Sequence, residues 1–173
     1  VAELAAQGMQ KMIIDVRGNT GGMVSAVTQI LDDILTEGVV VYTMDKYGNR
    51  KDYTSSGDTF MMYDMCVLMN GSSASASEIL AGALRDYNVA TLIGTTSYGK
   101  GIVQTIFPLE DGDAIKLTTA TYYTPNGDNI HGKGIDPDIE LEYEYTGDAE
   151  AEYDYMKDNQ VLKAIEVLES ENE

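Results

Sequence analysis

Apolar positions along the chain switch between a spacing of three to four residues and short unbroken runs, the pattern of helices alternating with buried strands. Residues 2–10 carry Leu4, Ala5 and Met9 on one helical face, and Gly8 lies where that helix should stop. Met12-Ile13-Ile14-Asp15-Val16 is short, apolar and β-branched, which predicts a strand, and it runs into the glycine-dense turn Arg17-Gly18-Asn19-Thr20-Gly21-Gly22. A helix patterned by Val24, Val27, Ile30, Leu31 and Ile34 follows and is closed by Gly38. Residues 39–43 read as a strand, Tyr47-Gly48-Asn49 as a hairpin turn, 51–54 as its return and 55–59 as a polar loop. A buried strand at 66–69 leads through the turn Asn70-Gly71-Ser72-Ser73 into a helix over 75–86, whose Ile79, Leu80, Ala83 and Leu84 share a face. Strands are expected at 90–93, 102–107 and 115–123, with a loop at 94–101 and a turn at Pro125-Asn126-Gly127-Asp128. A last helix is expected over 150–169, with Tyr153, Met156, Val161, Leu162, Ile165 and Leu168 as its apolar set. There is no internal repeat, so the succession predicts one α/β core.

Charge divides that picture. The chain has a net charge of -18, whose field would repel nucleic acid or an anionic membrane face. Much of it falls in residues 136–173, from Asp136, Asp138, Glu140, Glu142 and Glu144 into the acidic stretch after Asp148, and reads as a solvated tail. The expected organisation is therefore a single domain over residues 1–145 with an acidic C-terminal helical tail over 146–173. No apolar run approaches the ~20 residues of a spanning helix. The pattern opens inside a helical stretch, as in a piece of a longer chain. Cys66 is the only cysteine and His131 the only histidine. An internal disulfide is thus impossible, no metal site is expected, and Cys66, inside an apolar run, reads as a small buried hydrophobe.

Hydrolysis by a serine needs a nucleophile at a sharp exposed turn, a base within reach and donors aimed at the developing oxyanion. Ser73-Ala74-Ser75-Ala76-Ser77 offers such a turn between a strand and a helix, where the helix start supplies uncommitted N–H groups and a positive dipole end. The amide of Ala76 is a natural oxyanion donor there. The competing reading is a plain helix cap, since Glu78 can close a capping box with Ser75. Gly94-Thr95-Thr96-Ser97-Tyr98-Gly99-Lys100-Gly101 nearly spells a phosphate-binding loop, but Gly101 stands where the hydroxyl residue belongs and a strand follows instead of a helix. Lys100 sits between two glycines, where its amine could turn inward and lose hydration, as a basic lysine requires.

Ser73-Ala74-Ser75-Ala76-Ser77-Glu78-Ile79, followed by Ser97-Tyr98-Gly99-Lys100-Gly101-Ile102-Val103-Gln104, resembles the two catalytic motifs of carboxyl-terminal processing proteases. Ile13-Ile14-Asp15-Val16-Arg17-Gly18-Asn19-Thr20-Gly21-Gly22 is similar to that family's strand and R-G-N-P-G-G turn, with Thr20 in place of proline, and 123–127 and 131–138 are similar to its later stretch. The resemblance implies a ClpP/crotonase-like α/β core and a serine peptidase cutting protein substrates near their C-termini. It assigns Ser75 as nucleophile, Lys100 as general base and Gln104 as the residue orienting the lysine. The oxyanion hole falls to Ala76 with Gly21 or Gly22. It further implies a parent protein located outside the cytoplasm, in the bacterial envelope or secreted, with a signal or membrane anchor and a PDZ domain ahead of this region. Assembly into a homo-oligomer stays open. A non-enzymatic ligand-binding module of the same fold is the alternative. Glu78 and Asp86 are read mainly as capping and solvated groups, and His131 as a structural or substrate-lining residue.

Overall fold

A computed structural model describes residues 1–58, 63–148 and 150–170. Its elements follow in the order α1 (Ala2–Ala6), β1 (Lys11–Asp15), α2 (Val24–Ile34), β2 (Gly38–Asp45), β3 (Arg50–Ser55), β4 (Asp64–Met69), α3 (Ala76–Asp86), β5 (Ala90–Gly94), β6 (Ile102–Pro108), β7 (Ala114–Tyr123), β8 (Ile139–Glu140) and α4 (Asn159–Ser170). A 3₁₀ turn at Tyr155–Lys157 precedes α4.

The unbroken apolar run of β4 is explained by what covers it. The strand lies inside a parallel sheet of order β1-β4-β5-β8 and is buried on both faces. Met65, Val67 and Met69 join the larger core, which takes Val27, Leu31 and Ile34 from α2 and Ile79, Ala83 and Leu84 from α3. Cys66 and Leu68 face the other way, against Ala164 and Leu168 of α4. The second sheet is antiparallel, with order β3-β2-β7-β6. Val40, Val41 and Tyr122 from it close the larger core, while the β6–β7 arm reaches into solvent with Ile106, Phe107, Leu109, Ile115 and Leu117 exposed.

Because β1, β4 and β5 are parallel neighbours in register, with Asp15 beside Leu68 and Met69 beside Gly94, the loops that follow them leave from the same edge of the sheet. The carboxyl ends of parallel strands are where α/β folds hold their ligands. The topology therefore gathers residues 16–23, 70–75 and 95–101 at one place.

Two expectations for the C-terminal region need correction. Residues 150–154 are not helical, and α4 begins only at Asn159. Asp158 sets that start, because its Oδ1 accepts the N–H groups of Gln160 (2.9 Å) and Val161 (3.1 Å) and so caps the helix. Nor is the acidic segment simply solvated. Asp158 is fully buried and pairs with Arg17 at 2.9 Å, and α4 covers one face of the parallel sheet. Glu142, Glu144 and Glu150 do stay exposed. Among the described residues no helix is long and apolar enough to cross a membrane.

Candidate active site

Ser75 stands at the junction of the turn after β4 with α3, in a backbone conformation (φ 58°, ψ -113°) that L residues avoid. Asn88 is the only other described non-glycine residue with positive φ. Such a conformation costs of order 1–3 kcal/mol and persists only where the surroundings enforce it. Every residue from Ser73 to Leu84 is buried except Ser75, which is half-buried. The sharp strand-to-helix turn thus leaves one serine of a packed element half-exposed, as in a nucleophile elbow. Ser73 fixes the turn from below, since its Oγ accepts the Asn70 N–H (3.0 Å) and donates to the Val16 carbonyl (2.8 Å).

Glu78 enforces the turn from inside the helix. Its side chain is fully buried and accepts four hydrogen bonds. Oε2 takes the N–H of Ser75 (2.8 Å) and the N–H of Lys100 (2.9 Å). Oε1 takes the Ser97 hydroxyl and the Gly99 N–H, each at 2.6 Å. One carboxylate therefore ties the serine turn to the lysine loop, and the Ser75 and Lys100 backbone nitrogens are no more than about 6 Å apart, because they share one acceptor. The capping expected from sequence is present in the Ser75 contact; the three contacts across to residues 97–100 are what sequence reasoning missed. The S-x-x-E spacing was the available signal, but it speaks only for the local half.

The loop after β1 is docked against the same turn. Asn19 carbonyl accepts the Ala74 N–H and the Ser77 hydroxyl, both at 3.0 Å. Gly21 (φ 95°) lies so close that a Cβ there would stand 2.5 Å from the Ala74 carbonyl oxygen and 2.8 Å from the Ala76 nitrogen, so only glycine fits. The N–H of Gly21 is committed to Asn19 Oδ1 at 2.9 Å. Gly22 is exposed, with open space around its α-carbon, and the N–H of Ala76, at the first position of α3, has no intrahelical acceptor. Beside these groups opens a cavity of about 210 Å³ lined mainly by apolar side chains, among them Val16, Met23, Ala26, Val27, Ile30 and Leu80.

The structure therefore brings Ser75, Ala76, Gly21 and Gly22 together, with the backbone of Lys100 beside them. Lys100 as a residue is exposed, so the inward, desolvated placement of its amine envisaged from the sequence is not adopted in this conformation. Gln104 lies four residues on, exposed on β6 at an irregularity in its pairing with β7. His131 is exposed, but its backbone nitrogen would touch a Cβ placed on Gly101, so its segment backs the lysine loop. Asp86 does not reach the site: it pairs with Arg85 (2.9 Å) and accepts the Asn126 N–H (2.9 Å), holding the turn after β7.

The family model of Peptidase family S41 matches residues 1–141. The carboxy-terminal-processing protease of Bartonella bacilliformis is 44% identical over 144 residues, which cover 82% of this chain and 33% of that protein. The carboxyl-terminal-processing protease of Synechocystis sp. is 42% identical over 140 residues, 81% of this chain and 33% of that protein. Among solved structures, a photosystem II D1 C-terminal processing protease superposes with a TM-score of 0.77 at 36% identity, covering 81% of this chain and 36% of that one. The chain spans about a third of the length of the curated relatives it matches.

Proposed function

The chain belongs to peptidase family S41, and from that premise we propose that it carries the catalytic core of a serine endopeptidase that cuts protein substrates near their C-termini through a Ser75/Lys100 pair. The observation that carries this reading is the strained, half-exposed turn at Ser75, held by the same buried carboxylate that holds the backbone of Lys100. A cap alone has no use for positive φ at the capping serine, since N-cap residues ordinarily adopt extended backbone.

In the proposed reaction the neutral amine of Lys100, oriented by Gln104, rotates inward and takes the proton from Ser75 Oγ as that oxygen attacks the scissile carbonyl. The N–H groups of Ala76 and Gly22 receive the negative charge that moves onto the carbonyl oxygen. Gly22 is preferred to Gly21 because the Gly21 N–H already serves Asn19. Collapse breaks the C–N bond, and the Lys100 ammonium returns its proton to the departing amine. Water, deprotonated by the same lysine, then attacks the acyl carbonyl, and the resulting ammonium gives that proton to Ser75 Oγ as the C–O bond breaks and the acid product leaves. The apolar cavity beside Ala76 and Gly22 suits the side chain of the residue that donates the scissile carbonyl. From the same resemblance we place the parent protein outside the cytoplasm, which fractionation of cells making the full-length protein would check.

The direct test is peptide cleavage and fluorophosphonate labelling by the full-length protein beside Ser75→Ala and Lys100→Ala. Turnover is expected to fall by at least about 10³-fold in each variant, with labelling lost in Ser75→Ala. Equal turnover in all three proteins would remove the proposed roles.

A further inference from the structure

Residues 142–170 lie beyond the stretch matched by the family model, yet two buried side chains there grip the loop that carries the proposed oxyanion donors. Arg17, which opens that loop, is nearly buried, its side chain 12% exposed. Its Nη1 donates to Gln160 Oε1 (3.0 Å) and lies 2.9 Å from Asp158 Oδ2 as an ion pair. Nε and Nη2 are spent on Asp15, the latter at 2.6 Å, and the guanidinium lies 5.2 Å from the centre of the Tyr143 ring. Asp158 and Gln160 are both fully buried and are themselves immobilised. Tyr153 hydroxyl donates to Asp158 Oδ2 at 2.6 Å, and Gln160 Nε2 donates to the Leu141 carbonyl at 2.6 Å.

On its other side the loop is held by the serine turn. Val16 carbonyl accepts from Ser73, Gly18 N–H donates to Asn70 Oδ1 (3.1 Å), and Asn19 carbonyl accepts from Ala74 and Ser77. Residues 16–19 are therefore clamped between the C-terminal segment and the turn bearing Ser75, immediately ahead of Gly21 and Gly22. Donors of an oxyanion hole must be held to within about 0.5 Å of their productive positions. A planar guanidinium with its fork of donors engaged is a preorganised anchor for the backbone that carries it.

The geometry points to Asp158, seconded by Gln160, as a positioning residue that acts through Arg17 to hold the oxyanion-hole loop in register with Ser75. This rests on the peptidase reading above. The bland alternative is that Asp158 only caps α4. Asp158→Asn separates the two, because asparagine caps helices as well as aspartate does while removing the charge that faces Arg17.

In the full-length protein, Asp158→Asn is expected to lower kcat about tenfold with KM within about twofold, since displaced donors weaken the transition state and not substrate binding. A peptide aldehyde, whose hemiacetal oxygen needs the hole, should lose affinity by the same factor. The matching peptide amide, which forms no such oxygen, should keep its affinity. Arg17→Gln should reproduce the effect, and the double variant should be no worse than either single one, as residues acting in series require. Unchanged kcat and aldehyde affinity in a folded Asp158→Asn, or multiplying effects in the double variant, would overturn the assignment. Gln160→Met, which keeps the bulk and loses the acceptor, decides the matter if Asp158→Asn does not fold: about a threefold loss of kcat supports the role and none refutes it. Failure of both to fold would also overturn it, in favour of a purely structural segment. Ser75→Ala run in parallel keeps the two ideas apart. If it cleaves like the parent, the peptidase reading fails; if it is dead while Asp158→Asn is fully active, the positioning role alone fails.

Discussion

Replacing Glu78 by glutamine changes one atom in the middle of the site, and its cost can be worked from the contacts. Both carboxylate oxygens act as acceptors, for two donors each: Ser75 N–H and Lys100 N–H on one, Ser97 hydroxyl and Gly99 N–H on the other. A side-chain amide offers one oxygen and one NH₂, so whichever way it turns, two donors lose their acceptor and face another donor. The retained pair weakens from charge-assisted to neutral strength. Leaving a buried donor unmet costs about 1–3 kcal/mol. Ser97 can turn its hydroxyl about and recover part of this, whereas backbone N–H groups cannot. Weighing two lost bonds against the relief of no longer burying a charge gives a net destabilisation of about 3–5 kcal/mol. For a chain of this size that is a fall in Tm of roughly 6–20 °C. Loss of the link between Ser75 and Lys100 should also lower kcat about 10²-fold, as expected when reacting groups shift by about 1 Å. Thermal unfolding and steady-state cleavage by the full-length protein read the two effects separately. A Glu78→Gln protein with a Tm within about 2 °C of the parent and kcat within threefold would refute the claim that this carboxylate joins the two halves of the site.

Gly21 and Gly22 should respond in opposite ways to alanine. At Gly21 the positive φ and a Cβ 2.5 Å from a carbonyl oxygen predict a loss of about 2–5 kcal/mol and a collapse of activity, while Gly22→Ala meets nothing within 4 Å and should keep stability within about 0.5 kcal/mol; equal losses in denaturant titration would contradict this. Peptides with an alanine, valine or leucine before the scissile bond should be cut with kcat/KM at least about 10²-fold above those with aspartate there, because the cavity is lined mainly by apolar groups; a preference for the charged peptide would exclude it as the side-chain site. Burial pushes the Asp158 carboxyl up, but the Tyr153 hydroxyl, the Val161 N–H and Arg17 outweigh that and hold it below its ordinary value. An aspartate held low in the folded state stabilises above its unfolded value near pH ~4 and loses that contribution as pH falls through the lowered folded value. The stability of Asp158→Asn should therefore fall less steeply below about pH 4 than that of the parent, and parallel acid limbs would show that the partners of this carboxylate together do not hold it below its ordinary value.

How much of this was legible depends on how local each signal was. The strand at β4 and the helices α2 and α3 could be read within a residue or two because their burial is written in runs or periods of apolar residues, which need no knowledge of the partner. The last helix was misread because Tyr153 and Met156 fit its period. In the structure Tyr153 turns its hydroxyl to Asp158 and stacks on Tyr145 at 5.5 Å, and Asp158 starts the helix. A helix-period pattern does not distinguish a residue inside the helix from one in the turn that leads to it, and the capping aspartate was counted as tail charge. Glu78 shows the same limit. Its bond to Ser75 N–H spans three residues and has a recognisable spacing, whereas its bonds to Ser97, Gly99 and Lys100 span about twenty residues and leave no trace in spacing.

The same contrast bears on how the proposed pair would come together. The Ser75 turn and the loop of Gly21 and Gly22 are fixed by backbone and buried side-chain hydrogen bonds, so on the proposed reading little reorganisation would remain for them, as electrostatic stabilisation of an oxyanion requires. Lys100 is held at its backbone by Glu78, and its residue is exposed. With the backbone nitrogens of Ser75 and Lys100 on one acceptor, the proposed reaction would need the lysine side chain to turn toward Ser75 and its amine to lose water. Ordering a lysine side chain costs up to about 2 kcal/mol, a factor of about 30 in the population ready to react. A covering element or bound substrate that excludes water from this loop and limits the rotations of that side chain would, on the proposed reading, raise the rate by up to that factor through ordering alone, without touching Ser75. On the proposed reading the fold itself supplies the rigid half of the site, and the ordering of the exposed Lys100 side chain is the step left to control.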